Sequence, residues 1–281
     1  MKSIYIVTDS TADLNEQEIE KYGIHVVPLT IQIDNETFID GVDVRPDEFL
    51  NLMANAEELP KSSQPAAGVF KELYDELGKD GSEIISIHMT GGMSGTVKSA
   101  ETAANMSDAS VTVIDSMYIS HALSFQVIEA AKMAQEGHSV DEIVNRLQVI
   151  RKQTALYVVV DKLDNLVKGG RIGKGRAMIG SLLNIKPIAT LQDGVYTPVA
   201  QVRSHRQVVK HLFKAFTEQT TGKIIRKVGI SHANGLAMAE PLKKMIEETG
   251  IKDVALTFTT PIISTHTGEG AIGFMFYTEI E

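Results

Sequence analysis

Three polar clusters in the sequence carry side chains that could bind an anion. The first, Thr90-Gly91-Gly92-Met93-Ser94-Gly95-Thr96, follows an apolar run and offers hydroxyl groups at Ser94 and Thr96. Glycines let the backbone approach a ligand closely, and free N–H groups where a helix begins attract negative charge. The cluster is not a nucleophile elbow, because Thr96 stands where that motif requires glycine. A tight turn with a helix cap is the alternative interpretation.

The second cluster, residues 168–176, combines glycines with four basic side chains in nine residues. The whole chain has 27 basic and 36 acidic residues and a formal net charge of −9. This local reversal of sign favours an anionic ligand or an acidic partner. The cluster is not a P-loop, because Lys168 replaces the first glycine and Gly175 replaces the final hydroxyl residue. A solvated loop remains the alternative.

The third cluster, residues 264–270, places His266 among hydroxyl residues and glycines. Such a histidine suits a hydrogen bond to a carboxylate or phosphate, although it could instead be satisfied by its own backbone. The other histidines lack the paired spacing of metal ligands. Aspartates in the N-terminal region could suggest magnesium, but turns and helix caps are their commoner use, so we expect no metal site. These aspartates are Asp9, Asp13, Asp40 and Asp43.

Composition excludes several classes of protein. The chain has 281 residues and no cysteine, so disulfides, thiolate metal sites and a cysteine nucleophile are excluded. Acidic charge, the absence of tryptophan and 6% aromatic residues disfavour nucleic-acid binding. The N-terminal residues lack the pattern of a signal peptide, and no long apolar run is present. We therefore expect a cytoplasmic protein without stable membrane insertion, for which transient membrane contact stays open.

The elements that position these clusters alternate between strands and helices in the N-terminal half. This alternation predicts a doubly wound parallel sheet. A capping box at Ser139-Val140-Asp141-Glu142 predicts a helix start, and Pro46 suits the first turn of another helix. Strands are predicted at residues 4–7, 24–33, 84–89 and 111–114, and helices at 14–22, 46–53, 66–77, 119–135 and 139–150.

The C-terminal half predicts a second α/β domain with a mixed sheet. Asp193-Gly194 is a strong turn signal and predicts a hairpin over residues 185–202. Clusters two and three are predicted to be irregular loops. We place the domain boundary near Thr154, giving domains at 1–154 and 155–281. Further strands are predicted at residues 156–160, 228–231, 254–259 and 271–277, and helices at 204–219 and 236–248.

Taken together, the motifs of this chain resemble those of the DegV family, whose members include the fatty acid-binding subunit of bacterial fatty acid kinase. Each motif is weak by itself, but the ordered set is specific and spans nearly the whole chain. The motifs are Val7-Thr8-Asp9-Ser10-Thr11-Ala12-Asp13-Leu14, Ser62-Ser63-Gln64-Pro65, Gly92-Met93-Ser94-Gly95-Thr96, Asp115-Ser116, Lys168-Gly169-Gly170-Arg171-Ile172, Ile185-Lys186-Pro187-Ile188, Val202-Arg203 and His266-Thr267-Gly268.

The resemblance implies two α/β domains that hold one long-chain fatty acid in a buried tunnel and use no other cofactor. It implies that Ser62, Ser94 and His266 bind the carboxylate. An ATP-dependent kinase subunit would then phosphorylate that carboxylate to an acyl-phosphate, in a step of phospholipid metabolism. This chain would be a non-catalytic subunit. Four further residues would lie near the site or on the surface of this chain that docks the kinase subunit: Gly95, Thr96, Arg171 and Arg203.

Two departures from the family pattern concern the same site. Ser62 stands where threonine is usual, which keeps the hydroxyl group. Glu269 stands where many members carry proline, and we expect its negative charge near the carboxylate site. A stand-alone small-molecule phosphotransferase or hydrolase that uses the same cleft is the alternative function. A regulatory lipid sensor would need the same pocket and is not separated from the carrier by sequence.

Overall fold

The computed structural model describes residues 3–178 and 185–280. Within them the chain is α/β, with a parallel four-stranded sheet, a mixed six-stranded sheet and a small three-stranded antiparallel sheet. The strands are β1 (Ile4–Asp9), β2 (Ile24–Val27), β3 (Thr30–Ile33), β4 (Glu36–Ile39), β5 (Lys61–Ser63), β6 (Glu83–His88), β7 (Ser110–Asp115), β8 (Thr154–Val159), β9 (Lys186–Gln192), β10 (Val195–Val202), β11 (Ile224–Ala233), β12 (Val254–Phe258) and β13 (Ala271–Glu279).

The helices connect and cover these sheets. Their bounds are α1 (Glu16–Tyr22), α2 (Pro46–Asn55), α3 (Ala67–Leu77), α4 (Thr96–Met106), α5 (Ser120–Gln135), α6 (Val140–Gln153), α7 (Asp164–Lys168), α8 (His205–Thr220), α9 (Leu236–Glu247) and α10 (Pro261–Thr267). Pro46 is at the start of α2, and Ser139 forms the capping box of α6. Both signals were read correctly from the sequence because they depend on local backbone chemistry.

The first sheet has the strand order β2-β1-β6-β7, and all neighbouring strands are parallel. This confirms the predicted doubly wound sheet of the N-terminal half. The second sheet has the order β10-β9-β8-β13-β11-β12, in which only β11 and β12 pair in parallel. Its β9–β10 hairpin turns at Asp193 and Gly194, which both have positive φ angles, as a tight hairpin turn requires.

Three predicted elements differ from the structure. The strand predicted at residues 24–33 is two strands, β2 and β3, because Pro28 follows β2 and cannot donate a ladder hydrogen bond. Cluster two includes a 3-10 helix at Gly173–Met178 and the C-terminal end of α7, rather than loop alone. Cluster three is largely helical, because α10 runs through His266 to Thr267 and ends at Gly268.

Helix α5 packs between the two large sheets. It contacts β1 and β6 on one side and β8, β11 and β13 on the other, and almost every residue of its first half is buried. Gly229 in β11 permits this approach, since a Cβ there would lie 2.7 Å from the ring of His121. One hydrophobic core therefore runs across Thr154, where α6 meets β8. The domain boundary at this residue stays a prediction.

None of the helices in residues 3–178 and 185–280 combines the length and apolar character needed to cross a bilayer. The same residues contain no group of three or more histidine, aspartate or glutamate side chains arranged to hold a metal ion.

Candidate functional site

The glycine-rich turn after β6 carries Ser94 and is fixed by two aspartates, the buried Asp9 and the half-buried Asp115. The Met89 N–H donates to Asp9 Oδ2 at 2.8 Å, and the Gly91 N–H donates to Asp115 Oδ2 at 3.0 Å. Ser94 Oγ lies 2.8 Å from Thr96 Oγ1, so the two hydroxyl groups share a hydrogen bond. The aspartates hold the turn by its backbone and leave Ser94 half-buried at the rim of a cavity.

Gly95 and Thr96 follow Ser94 at the C-terminal end of this turn. A Cβ on Gly95 would lie 2.1 Å from Gln64 Oε1, so a larger residue there would displace the Gln64 amide. Gln64 in turn donates to Ser99 Oγ at 3.0 Å on α4. Thr96 is fully buried at the first position of α4. Both residues lie next to the site, but neither lines the cavity.

His266 and Ser62 meet although they are 204 residues apart. Ser62 Oγ in β5 lies 2.7 Å from His266 Nε2 in the last turn of α10. On the opposite side of the ring, a Cβ on Gly169 would lie 2.3 Å from His266 Nδ1. Glycine at the end of α7 is therefore required to admit the imidazole. Among the described residues, Nδ1 has no hydrogen-bond partner.

These side chains form one end of an apolar cavity of about 50 Å³, called here the first cavity. Its polar members are Ser62, Ser94, Arg171 and His266, with Thr267 beside them. Ser62 is in β5, Ser94 is in the turn after β6, Arg171 follows α7 and His266 is in α10. Only the folded chain therefore brings these four side chains together. The remaining lining is Leu29, Met89, Met93, Ile119, Val158, Leu166, Tyr196, Ile262 and Ile263.

A second cavity of about 20 Å³ adjoins the first and shares Ile119, Val158, Ile263 and Thr267 with it. It also contains hydroxyl groups that are already paired. Ser120 Oγ donates to buried Asp13 and lies 3.0 Å from Ser231 Oγ, and Thr259 Oγ1 donates to Asp13 Oδ2 at 3.1 Å. Because these hydroxyl groups already bond within the protein, this part of the lining suits the apolar end of a ligand better than a polar end.

The charge at the first cavity is positive. Burial, together with the positive charge of Arg171, lowers the pKa of His266 to about 4, so the imidazole is neutral at pH 7. Burial also lowers the pKa of Arg171, but a guanidinium stays charged at neutral pH. Arg171 Nε donates to the Met93 carbonyl at 3.1 Å, and Nη1 donates to the Gly169 carbonyl. One fixed cation and neutral hydrogen-bonding groups make a site for a single anionic group.

The arrangement is poorly suited to nucleophilic catalysis. Ser62 and His266 are as close as a nucleophile and its base, but an efficient pair needs a third group that orients the imidazole. Nδ1 of His266 finds none in the part of the chain that the structure describes. A pKa near 4 also makes this histidine a weak base at neutral pH. Among the described residues, Ser62 therefore lacks the activation that a serine hydrolase would need.

Two residues from the sequence analysis lie elsewhere. Arg203 is exposed just before α8, and its backbone N–H donates to Gln207 Oε1 at 2.8 Å. Glu269 is exposed, accepts a hydrogen bond from Asn234 Nδ2 at 2.7 Å and lines a separate surface cleft. Glu269 therefore does not line the first cavity, since Gly268 redirects the chain after α10 with a φ of 76°. The expected influence of its negative charge near the carboxylate site stays a prediction.

Sequence reasoning missed two contributors to the site. Tyr196 in β10 is buried at the first cavity, and its hydroxyl has no partner among the described residues. The Asp-Gly turn placed Tyr196 on a strand, but nothing local indicated which face it occupies. Gly169 was recognised as part of a motif, yet its role against His266 depends on a contact between α7 and α10.

Comparisons with known proteins agree over the whole chain. The family model for DegV proteins, described as an uncharacterised protein family, matches residues 3–279. A DegV domain-containing protein of Listeria monocytogenes is 44% identical over 281 residues, covering 99% of this chain and 100% of that protein. A solved structure from Thermus thermophilus, described as showing fatty acid binding of a DegV family protein, has a TM-score of 0.92 and 30% identity, covering 98% of this chain and 99% of that one. A structure of DegV from Bacillus subtilis, described as a fatty acid binding protein, has a TM-score of 0.88 and 32% identity, covering 99% and 100%.

The lowered pKa of His266 predicts a specific titration. Between pH 6.5 and about 4 the unfolded chain takes up a proton at this residue that the folded protein does not. The contribution of His266 to folding stability therefore falls as the pH decreases through this window. Nitrogen-15 NMR of the imidazole should give a midpoint near 4, and Arg171→Gln should raise it by removing the nearby positive charge. The resonance that disappears in His266→Gln is the one that belongs to His266. A wild-type midpoint near 6.5 for this resonance would contradict the prediction.

Proposed function

This chain belongs to the DegV family, and we propose that it binds one long-chain fatty acid with the carboxylate at Ser62, Ser94 and His266. The observation that carries the proposal is the hydrogen bond between Ser62 and His266 at the polar end of an apolar cavity. The solved relatives from Thermus thermophilus and Bacillus subtilis, which are described as binding fatty acids, support the same ligand.

A carboxylate accepts hydrogen bonds and cannot donate them. Neutral His266 can donate through Nε2 to Ser62, which leaves the Ser62 hydroxyl proton free for the ligand. Ser94 and Thr96 can likewise turn one proton toward the cavity while keeping their mutual bond. Arg171 offsets the cost of burying the negative charge, because a buried anion without a counter-charge is strongly disfavoured.

The acyl chain would extend from the first cavity toward the second. Burial of about fifteen methylenes at ~0.8 kcal/mol each provides roughly 12 kcal/mol before the costs of association. The two cavities, about 50 and 20 Å³, hold only a few water-sized groups, so the walls must move to admit a long chain. Met89 and Met93 lie in these walls, and flexible thioether side chains repack readily.

We further propose that the bound carboxylate is presented to an ATP-dependent kinase subunit, which converts it to an acyl-phosphate. In this role the chain itself is non-catalytic. Arg171 would contact the growing negative charge from inside the cavity, where a guanidinium can bind phosphate oxygens. Arg203 would act outside, because its exposed side chain is free to meet an acidic partner surface.

The carboxylate site predicts which substitutions weaken binding. Ser62→Ala, Ser94→Ala and His266→Ala should each reduce fatty acid affinity at least tenfold. The two serine variants remove a hydrogen bond to the charged carboxylate, and His266→Ala removes the donor that turns the Ser62 hydroxyl proton toward it. Native mass spectrometry should detect the lipid in the purified wild-type protein, and calorimetry should give the affinities. Ser63→Ala is the matched control, since Ser63 is exposed on the same strand. Wild-type affinity in all three variants would overturn the assignment.

The second cavity predicts a limit on chain length. A Cβ on Gly273 would lie 2.8 Å from Ser231 Oγ and 3.3 Å from Met275 Sδ, so Gly273→Ala should fill part of this cavity. We expect affinity for the longest saturated fatty acids to fall several-fold, while shorter ones bind as before. Competition across a series of chain lengths measures the profile. Gly68→Ala, in open space on α3, should not change it, and an unchanged profile in Gly273→Ala contradicts the prediction.

The proposed docking role of Arg203 separates binding from coupling. Arg203→Ala should keep fatty acid affinity within about twofold, because Arg203 does not line the cavity. It should lower the rate of acyl-phosphate formation with the kinase subunit and ATP by about tenfold, the loss expected for one charge-assisted contact. Lys214→Ala removes the same charge from the exposed face of α8 and serves as the control. Unchanged coupled phosphorylation in Arg203→Ala would remove the docking role.

A further inference from the structure

Two buried aspartates hold the N-terminal end of α10. The Thr260 N–H donates to Asp13 Oδ1 at 3.0 Å, and the Ile262 N–H donates to Asp40 Oδ1 at 3.2 Å. Asp13 also accepts a hydrogen bond from Thr259 Oγ1. Asp13 is 9% exposed and Asp40 is 2% exposed, so water cannot replace these contacts. The N–H groups of Thr260 and Ile262 at the start of this helix are therefore paired with side chains more than 200 residues away in sequence.

Both aspartates are fixed by their own backbone. Asp13 ends the 3-10 turn after β1 in a left-handed conformation with φ of 47°. Asp40 follows β4, donates its N–H to the Leu29 carbonyl at 3.0 Å and bridges to Val44. Each carboxyl group therefore projects from a constrained position in the N-terminal part of the chain. Rigid carboxyl groups can set the place of the helix end that they bind.

The helix that they hold carries the site. α10 has only seven residues and is short enough to move as one piece. His266 lies about 6 Å along the axis from Ile262, at ~1.5 Å per residue. Ile262 and Ile263 line the first cavity on the same helix. A shift at the N-terminal end of α10 would therefore move His266 away from Ser62 and change the cavity wall.

Keeping carboxyl groups here has an energetic cost. Burial raises the pKa of Asp13 to about 6 and that of Asp40 to about 7. A buried helix start needs acceptors for its free N–H groups, and Thr260 makes no capping bond with its own side chain. A carboxylate is also favoured by the positive end of the helix dipole. The contacts offset the burial cost where an apolar residue would leave an N–H group unpaired.

We propose that Asp13 and Asp40 are positioning residues that fix α10 and thereby hold His266 against Ser62 for carboxylate binding. The proposal rests on the proposed fatty acid function and deepens it. It gives a role to Asp13 of the N-terminal motif and to Asp40, neither of which lines the first or the second cavity. Asp9 performs a related task for the turn that carries Ser94, through the Met89 N–H.

The test compares disruptive and conservative substitutions at the same positions. Asp40→Leu removes the acceptor of the Ile262 N–H, whereas Asp40→Asn retains a carbonyl acceptor of the same size. We expect Asp40→Leu to reduce fatty acid affinity about tenfold and to shift the nitrogen-15 resonances of the His266 ring. Asp40→Asn should restore affinity to within about threefold of the wild type. Asp43→Leu is the control, because Asp43 is exposed in the same loop and its carboxylate accepts from the Ile39 N–H rather than from α10.

A double-mutant cycle shows whether the effect passes through His266. In a His266→Ala background, Asp40→Leu should cause a much smaller loss of affinity than in the wild type, because only its effect on the cavity wall at Ile262 and Ile263 remains. Asp13→Leu and Asp13→Asn repeat the comparison at the second contact, in case Asp40→Leu does not fold. Thermal unfolding of each variant identifies those that do.

The outcomes separate the two proposals. If the folded leucine variants bind as the wild type does and leave the His266 resonances unchanged, the positioning role is overturned. An additive loss in the His266→Ala background would also overturn it, since the effect would then be independent of His266. If the wild-type protein binds no fatty acid, the proposed function fails, while the NMR comparison still reports whether the aspartates position His266.

Discussion

The hydrogen bond between Ser62 and His266 is the contact on which the rest of the site depends. It joins a strand of the small antiparallel sheet to a helix that precedes the last strand of the large mixed sheet. Neither partner can form it unless both halves of the chain are folded against each other. The glycine at position 169 and the aspartates that hold α10 serve the same contact from two sides.

Electrostatics explain why this contact suits an anion. The chain is acidic overall, yet the first cavity contains an arginine, a neutral histidine and two serine hydroxyl groups. Three acidic side chains near these elements do not line the cavity. Asp9 and Asp40 each accept a backbone N–H through one carboxyl oxygen, and Glu269 bonds Asn234 outside the cavity. The net result is one positive charge facing an apolar space, which matches the head and tail of a fatty acid.

Much of the fold could be predicted because its signals are local. Strand–helix alternation, the capping box at Ser139 and the Asp193-Gly194 turn each depend on neighbouring residues, and each has the expected structure. The failures have two different causes. Residues 264–267 were expected to be a loop, but burial against α2 and α7 makes them helical. The break between β2 and β3 has a local cause instead, because Pro28 ends β2 and the two strands belong to different sheets.

The sequence alone determined the fold class, the family resemblance and the identity of Ser62, Ser94 and His266 as candidates, because motifs preserve residue types and order. Only the tertiary structure decided that Arg171 lines the cavity while Arg203 does not, and that Asp13 and Asp40 reach α10. These facts depend on contacts between residues far apart in the sequence, 78 positions for Arg171 with Met93 and more than 200 for the two aspartates with α10. Such contacts follow from how the sheets and α5 pack, which is a property of the whole core and not of any short segment.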